Sequence, residues 1–589
     1  MLDKLFQKSS LKILFRAAFL LSLTGVFVLV FDFGFSHSNG VQKLINGFYF
    51  LVLALGIATT AVRYILLRKQ IRFKVIAFDA ISVLLTLYVV LIHFFSHEAH
   101  QQLSFFYDDN WVKYVILLTF IREFAEQNLN YKRTLLNPAQ LFISSFLAII
   151  LLGAILLMLP KATYEGISFL DALFTSTSAV CVTGLIVVDT ATYFTTFGQT
   201  IIIILIQLGG LGILTFASYF SYFFKGGSTY ENQLVLSDMT NSKKIGDVFK
   251  TLKIIIVITF AIELLGAIFI YFNLNPKDFP TFVERSYFAV FHSISAFCNA
   301  GFSTLSNNLY ESDFQFNYGL QIIIIFLFVL GGLGFPIIVN VLTYLKYYLI
   351  NKFSKALHET RAYRPWVLHL NSRITLITTF SLTAVGTIFF YCNEYNNTLA
   401  AHHGIGKFIT ALFGAATPRT AGFNTIDMGA LHFSTIMMIF LLMWIGASPA
   451  STGGGIKTST FAIATMNFIS LAKGKSKIEL FRREIADISI RRAFAIISLS
   501  LMVIGTGIIF ISAFDKDKTL ISIAFECFSA YSTVGLSVGI TNSLSSSSKF
   551  IIIMIMFIGR VNMLTILIAI FKKVKHKNYR YPTEEITIN

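Results

Sequence analysis

Hydrophobic residues in this chain come in long blocks rather than in the short alternating patterns of soluble strands. A helix needs about 20 largely apolar residues to cross the hydrocarbon of a bilayer. Such blocks lie near 11–33, 44–66, 75–95, 111–125, 138–160, 196–224, 251–273, 319–349, 370–392, 430–446, 493–514 and 550–571. They predict an all-α integral membrane protein with twelve spans. Between the later blocks stand shorter, semi-polar stretches that also read as helices: 169–180, 282–297, 401–416 and 521–531.

Each short stretch ends in a similar string. The four are Cys181-Val182-Thr183-Gly184-Leu185, Cys298-Asn299-Ala300-Gly301-Phe302, Arg419-Thr420-Ala421-Gly422-Phe423 and Ser532-Thr533-Val534-Gly535-Leu536. Their glycines are 117, 121 and 113 residues apart. A second glycine register follows each string by about 24 to 30 residues: Gly209-Gly210-Leu211-Gly212, Gly331-Gly332-Leu333-Gly334, the run from Gly446 to Gly455, and Gly559. Ordered features recurring at near-constant spacing mark an internal repeat. The unit reads as membrane helix, half-helix, glycine-bearing extended segment, membrane helix.

Non-helical backbone cannot face lipid, because its amides and carbonyls would go unpaired; it is tolerated where it lines a watery path. Glycine reaches backbone angles that other residues avoid. Four such segments around one axis supply carbonyl oxygens that can replace the hydration shell of a monovalent cation. The half-helices would turn their negative C-terminal ends toward that ion.

Composition supports the membrane reading. The chain has 589 residues, 55% hydrophobic and 13% charged, with 62 Phe. Soluble domains carry about 25% charged residues, so a string of soluble domains is excluded. The net charge of +17 would suggest nucleic acid in a soluble protein, but no basic soluble domain is present to bind it. Lys and Arg concentrate instead in cytoplasmic loops. With the N-terminus inside, the inner segments hold Lys225, Lys243, Lys244, Lys250 and Lys253; Lys346, Lys352, Lys355, Arg361, Arg364 and Arg373; and Lys473, Lys475, Lys477, Arg482, Arg483, Arg491 and Arg492. The tail adds Lys572, Lys573, Lys575 and Lys577, while the outer segments 161–195 and 393–430 hold only Lys161, Lys407 and Arg419. Both termini are therefore expected in the cytoplasm. Cys181, Cys298, Cys392 and Cys527 form no CxxC pair and read as small buried apolar residues.

These strings resemble the TrkH/KtrB family of bacterial potassium-uptake proteins. The resemblance rests on Asn137-Pro-Ala-Gln140, Leu159-Pro160, Ser178 to Leu185, Phe291 to Phe302, Thr420 to Thr425, Gly446-Ala-Ser-Pro-Ala-Ser-Thr-Gly-Gly-Gly-Ile-Lys457 and Thr533 to Ser537. It covers about residues 135–575. It implies four helix–pore-helix–helix pseudo-repeats around one pore, near 138–224, 249–349, 370–470 and 485–573. Residues 1–134 would form an N-terminal extension of about four spans, and 576–589 a cytoplasmic tail. The filter would comprise Val182, Thr183, Gly184, Asn299, Ala300, Gly301, Thr420, Ala421, Gly422, Thr533, Val534 and Gly535, holding K+ by backbone carbonyls. Glycine in all four strings goes with K+ preference in this family. The resemblance further implies a homodimer in the bacterial inner membrane. It also implies a separately encoded cytosolic TrkA/KtrA-like ring that binds ATP, ADP or NAD. The chain itself carries no Rossmann fingerprint and no covalent cofactor is expected.

Residues 446–457 cannot form one continuous helix, because Gly453-Gly454-Gly455 interrupts it and Pro449 lacks a donor. In the family this stretch is the intramembrane loop below the filter. Its gate residues would be Gly446, Ser448, Pro449, Ser451, Thr452, Gly453, Gly454, Gly455 and Lys457. Arg560 joins them: an arginine within a span is costly and usually functional, and it would set a positive barrier against the loop. The family's usual Gly-Arg-Val-Gly-Pro-Leu-Thr reads here with Asn562-Met563 in place of Gly-Pro.

Other polar residues read as structural. Glu263 and Glu526 would support the pore, His292 would pack, and His402-His403 lack metal-ligand partners. Arg419, near the outer mouth, would pair with backbone or Asp427. In the extension, Asp79 could pair with Arg122; a voltage sensor would need several Arg on one helix, and only Arg122 is available there. No nucleophile–base pair suggests an enzyme. The alternatives are Na+ conduction or Na+- or H+-coupled K+ symport, and, in another class, a non-transporting receptor or scaffold.

Overall fold

The computed structural model describes residues 8–67, 73–95, 110–126, 138–212, 248–356 and 368–571. The described chain is almost wholly helical. In the N-terminal part these are α1 Lys8–Gly34, α2 Asn39–Leu67, α3 Phe73–Phe95 and α4 Asn110–Glu126. The first repeat contains α5 Pro138–Leu157, α6 Phe169–Val180 and α7 Thr196–Leu211; the second, α8 Val248–Asn273, α9 Phe282–Phe297, α10 Tyr318–Leu333 and α11 Phe335–Ala356. The third contains α12 Leu370–Glu394, α13 Ile405–Ala416, α14 Phe433–Trp444 and α15 Thr458–Ala472; the fourth, α16 Asp487–Phe514, α17 Leu520–Ser532, α18 Ser546–Val561 and α19 Met563–Ile570. A hairpin, Glu479–Leu480 with Arg483–Glu484, turns through left-handed Phe481 and Arg482. The basic positions 225, 243, 244, 361, 364, 572, 573, 575 and 577, together with Asn137 and the tail, lie outside the described residues.

Three of the four half-helices begin where the sequence supplies a side-chain cap; α13 starts after left-handed Gly404 without one. Ser168, Thr281 and Thr519 accept the amides of Asp171, Glu284 and Ser522 at the starts of α6, α9 and α17, a polar bond that fixes the first turn. Twelve residues of α6 span only about 18 Å, too short to cross the hydrocarbon. A helix of that length would end within the bilayer.

The repeats close into a ring. Within repeats, α5, α8, α12 and α16 pack on α6, α9, α13 and α17. Between repeats, α7 packs on α9, α10 on α13, α14 on α17, and α18 returns to α6. Lys549 of α18 pairs with Asp171 of α6 at 2.8 Å. Gly153, Gly266, Gly386 and Gly507 face Leu205, Leu327, Leu442 and Ile555 of the same repeat so closely that a Cβ would press into those side chains. Close approach of backbones at small residues is how membrane helices pack without a hydrophobic driving force.

Several expected single spans are broken. The segment 319–349 bends by 105° between α10 and α11, and 550–571 bends by 86° between α18 and α19. Block 196–224 ends its helix at Leu211, where Gly212 turns left-handed; 213–224 lie outside the described residues. The breaks fall at Gly212, Gly334 and Asn562, with φ of 76°, 82° and 73°, a conformation that stops a helix as a glycine C-cap does. Apolar length alone could not reveal them. Among the described residues five helices are long and apolar enough to cross a membrane, or up to seven if each bent pair is one span.

The N-terminal helices pack on one another around buried charges. Asp79 accepts the Tyr64 hydroxyl at 2.8 Å, not Arg122 as expected. Arg122 donates to the Gly56 carbonyl at 2.6 Å and lies 3.6 Å from Glu123. The Glu123 carboxylate also takes Thr59 and Arg63. Arg63, on α2, is a second buried cation that the spacing did not single out. Cys392 is exposed, whereas the other three cysteines are buried.

The glycines on the first helix of each repeat offer a test. A Cβ at Gly507 would overlap Ile555, whereas a Cβ at Gly505 on the same helix would meet nothing within 4 Å. Overpacking costs about 1–3 kcal/mol. Thermal unfolding of purified protein should show Gly507→Val clearly destabilised and Gly505→Val close to wild type.

Candidate functional site

The four strings share one backbone conformation despite different residues. Val182, Asn299, Thr420 and Thr533 have φ of 57°, 62°, 76° and 50°, and Gly184, Gly301, Gly422 and Gly535 have φ of 92°, 70°, 79° and 91°. Positive φ at a β-branched residue is a genuine outlier. Here it recurs in all four strings, two positions before each glycine.

The residue between the two left-handed positions turns its amide away from the axis. Thr183 N donates to Ser178 O at 2.7 Å, Ala300 N to Ser295 O at 2.8 Å, Ala421 N to Thr417 O at 2.9 Å and Val534 N to Ser529 O at 2.9 Å. Its carbonyl faces the neighbouring string. A Cβ on Gly301 would stand 3.0 Å from Ala421 O and 2.8 Å from Gly422 Cα. Likewise, a Cβ on Gly184 would strike Ala300 O, one on Gly422 would strike Val534 O, and one on Gly535 would strike Thr183 O. The strings thus meet in the order one, two, three, four, one, with a backbone oxygen at each junction. Any side chain at these glycines would be barred twice, by φ and by space.

Hydroxyls behind the strings were not picked out from the sequence. Ser178 and Ser529 accept the amides of Gly184 and Gly535 at 3.0 and 3.1 Å. Ser295 and Thr417 instead donate to the carbonyls of Phe302 and Phe423 at 2.7 and 2.5 Å. Ser178, Ser295 and Ser529 stand six residues before their glycines, a spacing that could have found them. The second glycine register also has a physical reason. A Cβ on Gly209, Gly331 or Gly559 would strike Val180 O, Phe297 O or Tyr531 O, so these glycines let the helix that follows each string lie against the end of the preceding half-helix.

A cavity of about 530 Å³ opens above the strings and is lined by all four glycines. Its charged lining residues are Asp189 and Asp427, and no Lys or Arg lines it. Glu526 receives Ser537 at 2.5 Å and Thr541 at 2.9 Å, anchoring the segment that leaves the fourth string. His292 binds Phe288 O and Ser303 and is fully buried. His402 meets the Tyr318 hydroxyl at 3.1 Å. No group of three or more metal-ligating side chains occurs among the described residues. Glu394, missed in the sequence, takes four donors: His432 N, Thr435, Asn397 and Thr398. It ties the start of α14 to the end of α12 through His432 N and the Thr435 hydroxyl.

Arg419 takes backbone, the first of its two expected partners, and not Asp427. It reaches Thr379 O at 3.2 Å and the hydroxyls of Thr383 and Thr379 at 3.4 Å. Thr379 lies within α12, so Arg419 braces the inner end of the third string against a helix, and Asp427 instead caps Gly429 at 2.8 Å. Glu263 lies between repeats, receiving Gln207 at 3.1 Å, while Ser293 binds its carbonyl at 2.6 Å.

Below the strings, 445–457 form a non-helical loop between α14 and α15. Ile445 and Ile456 bridge in parallel at its neck. Ser448 N reaches Gly332 O at 2.9 Å, and Ser451 bonds back to Ser448 O at 2.6 Å. Thr452 donates to Asn299 Oδ1 at 3.1 Å, and Gly454 N to Thr533 Oγ1 at 2.8 Å. A Cβ on Gly453 would strike Thr420, and one on Gly446 would strike Gly454 O. Gly334 lies against the carbonyls of Pro449 and Ala450. Gly455 is left-handed, with φ of 69°. The Lys457 ammonium folds back on Gly453 O at 2.6 Å and Gly454 O at 3.4 Å. Arg560 donates to Thr452 O and, at 2.5 Å, to Gly209 O, tying the loop to the first and fourth repeats. Asn562, two residues on, occupies the left-handed break, and its side chain accepts Leu564 N at 3.2 Å. Asparagine thus keeps the helix break at a position where the family string has glycine.

Residues 110–581 match the family TrkH, described as cation transport protein. The chain is 38% identical over 454 residues to Ktr system potassium uptake protein B of Bacillus subtilis, covering 76% of this chain and 96% of that protein. It is 34% identical over 466 residues to the potassium/sodium uptake protein NtpJ of Enterococcus hirae, covering 77% and 98%. The crystal structure of the potassium transporter TrkH from Vibrio parahaemolyticus aligns with a TM-score of 0.58 at 17% identity, covering 85% of this chain and 99% of that one; it is alike in fold.

Asn562 can be tested for its hold on the break. A left-handed β-branched residue costs about 1–2 kcal/mol, and a lost cap adds about 1 kcal/mol. Asn562→Val should lower the unfolding temperature of purified protein markedly, and Asn562→Gly should fall much less.

Proposed function

The chain belongs to the TrkH family of cation transport proteins, and from that premise we propose that it takes up K+ through a channel-like pore. The reading is carried by the ring of four glycine strings with a backbone oxygen at each junction. Thr183, Ala300, Ala421 and Val534 offer oxygens without spending their amides on the axis. Such a ring replaces the water around a monovalent cation. The acidic cavity above it draws cations in and repels anions.

Ion movement needs no chemistry of the protein's own. The membrane potential supplies about 2.3 kcal/mol per 100 mV for each inward charge. The loop 445–457 is the gate, and Arg560 holds it closed while adding positive charge to the cation path. Gly446, Gly453, Gly454 and Gly455 let the loop fold tightly beneath the strings, and Lys457 staples it. The chain works as a homodimer in the bacterial inner membrane with both termini inside. A separate cytosolic nucleotide-binding ring acts on the loop; the word "system" in the relatives' names supports a further component. A second reading, in which Na+ also passes, is favoured by the name of NtpJ.

Complementation of a K+-uptake-deficient bacterium tests the main reading. The wild-type chain, with its cytosolic partner, should restore growth at low K+, and Gly422→Ser should weaken it or make it Na+-sensitive. Failure of the wild type to restore growth in an expressing cell would sink the proposal. Arg560→Ala should raise Rb+ uptake into proteoliposomes, since both loop bonds and the local positive charge are lost; unchanged uptake would remove Arg560 from the gate.

A further inference from the structure

Left-handed backbone at a residue other than glycine persists only where its surroundings over-determine it. Beneath three of the four strings those surroundings include the loop. Thr452 donates its hydroxyl to Asn299 Oδ1 at 3.1 Å, and the Asn299 amide donates to Thr420 Oγ1 at 3.3 Å. Gly454 N donates to Thr533 Oγ1 at 2.8 Å. Asn299, Thr420 and Thr533 are the left-handed residues of strings two, three and four. In the first string the equivalent residue is Val182, whose side chain offers no hydrogen bond.

The Asn299 side chain uses both ends of its amide, accepting from the loop and donating to the next string. Thr452 therefore orients Asn299, and Asn299 orients Thr420, in one directed chain of bonds. The residues they fix stand two before the glycines, next to the carbonyls that face the axis. All of Thr452, Asn299, Thr420 and Thr533 are buried, so water does not freely replace a bond lost among them.

We infer that Thr452 is a specificity-determining residue: through Asn299 and Thr420, the folded loop holds the backbone beneath the glycines, so the gate also sets how sharply K+ is chosen over Na+. Thr452 acts by positioning; it supplies no ligand to the ion. The inference rests on the proposed K+ pore and adds that gate and filter are one mechanical unit. When the loop withdraws, Asn299 and Thr533 lose their bonds to it, Thr420 keeps a donor whose orientation is no longer fixed, and string one has no such bond to lose.

Thr452→Val keeps the shape and removes the hydroxyl. Initial Rb+ and Na+ uptake into proteoliposomes, at a fixed membrane potential, gives the ratio that matters. Loss of one buried hydrogen bond predicts a fall in the Rb+/Na+ ratio of about three- to tenfold for Thr452→Val. Thr452→Ala, a second loss of the hydroxyl with a smaller side chain, should lower it too, and Thr452→Ser should restore it. A changed rate with an unchanged ratio in both Val and Ala variants overturns the inference while leaving the pore intact. A ratio that falls equally in Thr452→Ser also overturns it, since the hydroxyl would not be the cause. No Rb+ uptake by the wild type, with its cytosolic partner added, overturns the pore reading and this inference with it.

Discussion

Extended backbone in the middle of a bilayer has no water to bond, so each of its amides must find a partner within the protein. The strings meet this demand on one side only. The amides of Thr183, Ala300, Ala421 and Val534 go back to carbonyls of the preceding half-helix. The hydroxyls of Ser178 and Ser529 accept the following glycine amides, and those of Ser295 and Thr417 donate to the carbonyls one residue past the glycines. With the amides spent behind, the carbonyls are left toward the axis. The caps that start the half-helices, and the glycines that let neighbouring helices lie against their ends, all serve to hold that one-sided bonding in place.

Crowding below the strings follows from the same constraint. The loop 445–457 is itself non-helical backbone at membrane depth. It is satisfied by Gly332 O, Asn299 and Thr533, and by the cations Lys457 and Arg560, which donate to its carbonyls. Both side chains donate to carbonyls, and no acid lies within ion-pair distance of either among the described residues.

Much of this was legible in the sequence because it depends on glycine, which has no substitute where φ is positive and space is short. The four strings, the second register and the break at 446–457 were all marked by it. The same signal failed at Asn562, where another residue takes the left-handed position, and at the left-handed Val182, Asn299, Thr420 and Thr533, whose backbone no side-chain type announces. Bends inside 319–349 and 550–571 escaped because an apolar block reads alike whether straight or folded. Asp79 was placed with the wrong partner, and Arg419 was left open between backbone and Asp427, because sequence gives the charge of a residue but not its direction. Glu394 went unnoticed as an ordinary acid at the end of a span, although four donors converge on it.

The ring is closed by a seam without a covalent link. Asp171 and Lys549, paired across it, are 378 residues apart in the chain. At roughly 5–20 residues per second, a ribosome needs on the order of 20–75 s to make the partner that α6 awaits. For that interval the first string has its half-helix but not its last neighbour. Water or the insertion machinery must satisfy its exposed carbonyls, since lipid offers them no donor, and assembly of the ring is therefore timed by synthesis of the fourth repeat.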